Sequence, residues 1–169
     1  PPLLALDTEG RVAMLGSFAK TLTPALALGY LIVPPALRDR VADLCLPTSG
    51  LVQDAVARYM EAGGLRRHTA RMRKEYRARR AAFIDLFPEG VPMEGGLHAV
   101  VPLRADADED RVVARCRARG LGVTGMADYW SARRPRTPGI VLGLGTGSLD
   151  RLRERLAVLR RTIEEGQGL

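Results

Sequence analysis

The stretch "GSFAKTLTPALALGYLIVPP", residues 16–35, decides how the chain is read. An apolar run ends in a lysine, a Thr-Pro turn follows, and a second apolar run carrying Gly29 stops at a proline pair. Residues 11–18 read as a short buried strand and residues 26–33 as another. Lys20 therefore falls at a strand end, at the kind of sheet edge where ligands of α/β proteins lie. Its residue type is informative. Lysine and arginine total 26, and of these only Lys20 and Lys74 are lysines. An amine can lose its proton and attack a carbonyl carbon, which a guanidinium effectively cannot. Ser17 stands three residues before it, so a hydroxyl and an amine share the turn. On spacing alone the pair competes with the plainer reading of a surface cation.

Composition narrows the rest. The chain has 169 residues, 46% hydrophobic and 27% charged, which is ample for a core in a single domain's worth of sequence. Aromatics are 5%, so Leu, Val and Ala must fill that core. No apolar run is long enough for a membrane span, and "PPLLALDTEG" has no basic leader region. Its lack of an initiator methionine fits an excised piece of a longer chain. Cys45 and Cys116 are far apart and read as reduced core or near-core thiols. His68 and His98 do not cluster with them, which argues against a metal site. The formal net charge of +7 admits a polyanionic partner, but the arginines are dispersed and aromatic platforms are few.

Further along, "ALRDRVADLCL" predicts a short helix after Pro35, and Leu51 to Ala62 predicts another, closed by Gly63 and Gly64. Leu65, Met72, Tyr76, Phe83 and Phe87 form one stripe on a long helix. Arg66, Arg67, Arg71, Arg73, Arg77 and Arg80 fall mostly off it, as a solvated basic face. After Pro88, "GGLHAVVPL" (95–103) predicts a strand and "DEDRVVARCRARG" a helix with an acidic start. "LGVTGM" and "IVLGLG" predict two more strands. A last helix is capped by Ser148 and striped by Leu149, Leu152, Leu156, Leu159 and Ile163. "GLGTGS" (143–148) has the wrong glycine spacing for a dinucleotide fingerprint and lacks a Walker lysine, so it reads as a strand-to-helix turn.

The opening stretch resembles the lysine segment of fold-type I pyridoxal-phosphate enzymes, the aminotransferase class I/II group. "LVQDAVARYMEAGGLRRHTARMRKEYRARRAAF" resembles, more specifically, the aminotransferase-like domain of MocR-type regulators of the GntR family. "GGLHAVVPL" and "IVLGLGTGSLDRLRERLAVL" are similar to strands and the closing helix of that domain. The resemblance spans essentially the whole chain. It implies an α/β fold: a fragment of the large domain of a PLP-dependent transferase plus the α+β C-terminal small domain. The expected divisions are 1–48 for the C-terminal portion of the cofactor-binding domain, 49–89 for connecting helices, and 90–169 for the small domain.

The same resemblance implies that Lys20 carries pyridoxal 5'-phosphate as an internal aldimine and that Ser17 hydrogen-bonds its phosphate. Tyr30 and His98 are further pocket candidates. It also implies a cytoplasmic homodimer sensing a small amino-acid-like ligand and touching DNA only through an N-terminal domain absent from this chain. Two departures bear on activity. The family's phosphate-pairing arginine, seven residues after the lysine, is replaced by Ala27, and "GIVLGLG" lacks the substrate-carboxylate arginine of aminotransferases. Arg133, Arg134 or Arg136 in the preceding loop could substitute for the latter. The alternatives are an aminotransferase moving an amino group to a 2-oxo acid, and a degenerate cofactor-free dimerisation module.

Overall fold

The computed structural model describes residues 2–92, 96–131, 137–145 and 147–167. The chain falls into two compact units, Pro1–Ala70 and Arg71–Leu169.

In the first unit, β1 (Met14–Ser17) and β2 (Gly29–Ile32) form an antiparallel hairpin, with Gly16 opposite Tyr30 and Ser17 opposite Gly29. The strands are shorter than the apolar runs that predicted them. They are also not buried: every β2 residue is exposed, and Leu15 is 80% exposed. Two strands alone have no second layer to cover their faces. Pro35–Leu37 makes a single tight helical turn, continued by α1 (Arg38–Ala42). Next comes α2 (Gly50–Glu61), whose N-terminal cap is Ser49, accepting from the Val52 amide at 3.5 Å. Cys45, expected in or near the core, is exposed.

The long helix α3 (Gly64–Leu86) carries the division between the units within its length. Of the glycine pair expected to close α2, Gly63 breaks the chain with φ +70°, a left-handed conformation that favours glycine. Gly64 instead opens α3.

The second unit is a four-stranded antiparallel sheet, β3 (Val91–Pro92), β4 (His98–Pro102), β6 (Gly139–Gly143) and β5 (Val123–Gly125), in the spatial order β3-β4-β6-β5. Ala99, Val101, Ile140, Leu142 and Val123 alternate onto one face and join the core. Against them lie Val112, Val113 and Cys116 of α4 (Glu109–Ala118) and the stripe Leu152, Leu156, Leu159 and Ile163 of α5 (Leu149–Gln167). Phe83 of α3 and Phe87, just past its end, stack with ring centroids 5.4 Å apart in the same core. Ser148 caps α5 as the sequence predicts, accepting from the Arg151 amide at 3.2 Å, and Asp108 caps α4 by accepting from the Arg111 amide at 3.0 Å.

Candidate functional site

The segment between the two hairpin strands holds Lys20. The ladder continues one step past β1, with the Phe18 amide donating to the Leu28 carbonyl at 2.9 Å. Inside it, the Leu22 amide donates to the Phe18 carbonyl at 2.7 Å, closing a turn with Lys20 at its crest. Thr23 caps the following helical turn, Pro24–Leu26, by accepting from the Ala25 amide at 3.3 Å. Ala27 then returns the chain to β2 in a left-handed conformation, φ 46° and ψ 34°. A residue with a Cβ adopts this at a cost of about 1 kcal/mol.

Ser17 ends β1, and its Oγ accepts the Ala19 amide at 3.1 Å. Its own O–H remains available to donate to an anion. Lys20 is exposed, and among the described residues its amine has no hydrogen bond or ion pair. Tyr30 lies on β2 one register step from the Ser17–Gly29 pair. Its ring covers Gly16 so closely that a Cβ there would strike it, and it lies 5.6 Å from the Phe18 ring, centroid to centroid. Ser17 and Lys20 thus share one turn, with Tyr30 on the neighbouring strand. His98 is in the other unit, exposed and paired with Gly143 across β4–β6. Arg133, Arg134 and Arg136 lie outside the described residues.

A phosphorylated aldehyde needs an amine for its carbonyl carbon and donors for its phosphate. Lys20 and Ser17 provide both on one turn, so the residues present fit pyridoxal phosphate in part. Ala27 adds no charge, and residues 18–28 contain no second cation.

Sequence reasoning missed two structural pieces of the second unit. Arg79, off the α3 apolar stripe, is buried and donates to the Leu144 and Gly147 carbonyls at 2.9 and 2.6 Å. It thereby ties the carbonyls of Leu144 and Gly147, between β6 and α5, to α3. Glu109, predicted only as a helix-dipole acid, accepts from the Ala127 and Gly139 amides at 2.9 and 2.7 Å. Both oxygens of this carboxylate, beside the cleft at Trp130 and Pro138, are thereby engaged. No cluster of metal-ligating side chains occurs among the described residues. Nor does any helix there have the length and apolarity to cross a membrane.

The fold defines a class. The chain superposes on Pyrococcus horikoshii kynurenine aminotransferase, solved in complex with PMP, with a TM-score of 0.75 and 29% identity, covering 95% of this chain and 42% of that one. Its structural neighbours are fold-type I aminotransferases, matched over the C-terminal portion of their length. Its homologues also include MocR/GntR-type transcriptional regulators. The HTH-type pyridoxine biosynthesis transcriptional regulator PdxR of Corynebacterium glutamicum is 38% identical over 175 residues, 98% of this chain and 38% of PdxR. The HTH-type transcriptional regulator TauR of Rhodobacter capsulatus is 39% identical over 131 residues, 72% of this chain and 27% of TauR. The chain therefore spans well under half the length of these relatives. No protein-family model matches it.

Proposed function

We propose that this chain is the C-terminal part of an aminotransferase-like effector domain of a MocR/GntR-type transcriptional regulator, holding pyridoxal 5'-phosphate through Lys20 and Ser17. The observation that carries the reading is the shared turn: an unpaired amine and a hydroxyl with a free proton, three residues apart, in a chain whose other cations are almost all arginine. The cofactor, when bound, supplies the electron sink for amino-acid chemistry. Lys20 contributes the nucleophile and Ser17 a donor to the phosphate. Tyr30, on the strand beside them, is the next candidate to line the cofactor's surroundings.

The absence of a cation at Ala27 removes a bidentate phosphate contact. It favours a domain that binds and senses an amino-acid-like ligand over an efficient transaminase. Homodimerisation, DNA contact through an N-terminal domain and a cytoplasmic location complete the proposal. The second reading, a plain aminotransferase, draws on the likeness to the Pyrococcus enzyme.

Borohydride reduction after adding pyridoxal phosphate, followed by peptide mass spectrometry, tests the core of the reading. The expected result is a reduced adduct on Lys20 that Lys20→Ala abolishes. No adduct, or equal labelling of Lys74, sinks it. In the complete protein, sustained amino-group transfer to a 2-oxo acid would favour the enzyme reading, and binding without turnover the regulator.

A further inference from the structure

The core of the Arg71–Leu169 unit is not fully closed. Val123 and Leu142 from the sheet and Leu152, Leu156 and Leu159 from α5 are among the walls of a cleft of about 150 Å³, and Arg155 of the same helix lines it too. The five apolar walls are core residues, each under a tenth exposed. A cleft of this volume has room for a benzene-sized body.

Arg155 is the unusual wall. It is half-buried, and among the described residues it has no hydrogen bond or ion pair. Other arginines of this unit have carboxylate partners: Arg153 pairs with Asp150, Arg119 with Glu165, and Arg160 with Glu89 and Glu164. A partly desolvated cation without an acceptor lacks the partner that makes such burial favourable. Charge-assisted pairing of a guanidinium is strongest with a planar carboxylate.

We propose that this cavity binds a small monocarboxylate with a compact aromatic or branched aliphatic body, the body among the leucines and the carboxylate on Arg155. The site lies within one unit, uses neither Lys20 nor Ser17, and does not rest on the pyridoxal-phosphate reading.

The test is titration of the chain with benzoate, followed by methyl resonances of its leucines and valines. Benzamide (same body, no charge) and acetate (charge, no body) are the controls. Benzoate is expected to shift the Leu152, Leu156 and Leu159 methyls with a dissociation constant on the order of 1 mM or tighter. Benzamide and acetate should each bind about tenfold more weakly. Arg155→Met, which leaves the apolar walls intact, should weaken benzoate about tenfold without affecting benzamide, and Arg155→Lys should recover part of the loss. Val123→Phe, which fills the space, should abolish all binding. No methyl shift with benzoate overturns the proposal. So does equal binding of benzoate and either control, or an Arg155→Met chain that binds benzoate unchanged. None of these outcomes alters the Lys20 adduct, which is read separately.

Discussion

Replacing Arg79 with methionine should destabilise the second unit by about 2–3 kcal/mol. Arg79 is 3% exposed. Its Nη1 donates to the Leu144 carbonyl at 2.9 Å, its Nη2 to the Gly147 carbonyl at 2.6 Å, and its Nε to Glu75 at 3.1 Å. Methionine keeps the apolar volume of the stem and removes every donor. Leu144 is 0% exposed, so its carbonyl stays dry and bare, a loss of about 1–3 kcal/mol. Gly147 is exposed and the Glu75 side chain is 43% exposed, so water replaces those bonds, adding under about 1 kcal/mol. Relief from burying a cation works in the opposite direction. Even so, removing one side of a buried pair is destabilising on balance, by about 3–5 kcal/mol when both partners are buried. The exposed carboxylate places this case below that range. In a unit of about a hundred residues, 2–3 kcal/mol corresponds to a fall in Tm of about 10–20 °C. Urea unfolding of the wild type, Arg79→Met and Arg79→Lys measures it. Lysine keeps the charge without the fork and should recover less than half. An Arg79→Met chain with an unchanged midpoint, or a higher one, would refute the view that this arginine holds the β6–α5 turn.

Three further outcomes are expected. Glu109→Ala strips the acceptor from the Ala127 and Gly139 amides and should cost about 1–2 kcal/mol; faster hydrogen exchange at those two amides, above the change elsewhere in β6, is the check. Ala27→Gly relieves the left-handed backbone at φ 46° and should raise the thermal stability of the first unit by up to about 1 kcal/mol; an unchanged melting curve would show that the turn relaxes without strain. The Arg119 guanidinium donates to Glu165 and holds its carboxyl below the ordinary carboxylate range. Its folded pKa therefore lies below its unfolded one, so the contribution is present above the unfolded value and lost as pH falls through the folded one. Arg119→Ala should flatten the acid limb of a stability–pH profile, and a limb of unchanged slope would count against the pairing.

What the sequence made legible follows the physics of each element. The α5 stripe was readable because a helix on a sheet buries every third or fourth residue, and Leu152, Leu156, Leu159 and Ile163 do so. The α3 stripe was readable in the same way at Phe83 and Phe87. β3, two residues long, is too short to show a period. The hairpin was legible as strands but not as exposed ones, because burial depends on a second layer that local pattern does not encode. Arg79 was invisible for a related reason. Its acceptors are the Leu144 and Gly147 carbonyls, 65 and 68 positions away, and a backbone carbonyl leaves no mark in the sequence. At the candidate site, the residue types of Ser17 and Lys20 and the alanine at position 27 could be read directly. The left-handed turn at Ala27 could not, since alanine is an unusual choice for it. The Tyr30 ring over Gly16 needed the register.

The weight of the trapping experiment rests on comparing two lysines that are equally reachable. Lys20 and Lys74 are both exposed, and neither has a partner among the described residues. Exposure therefore gives a free aldehyde no reason to prefer either. Their backbones differ. Lys74 stands on the regular surface of α3. Lys20 stands on a turn closed by its own bonds: the Leu22 amide to the Phe18 carbonyl, the Phe18 amide to the Leu28 carbonyl, and the Ala19 amide to Ser17 Oγ. Those bonds are local to the hairpin, so the relation between the Ser17 hydroxyl and the Lys20 backbone is set by residues 17–28 themselves. A phosphate held by Ser17 raises the local concentration of its aldehyde at Lys20 and not at Lys74. Selective labelling thus reports recognition of the phosphate. Ser17→Ala should erase the selectivity while leaving the lysine in place, which separates a cofactor site from a merely exposed amine.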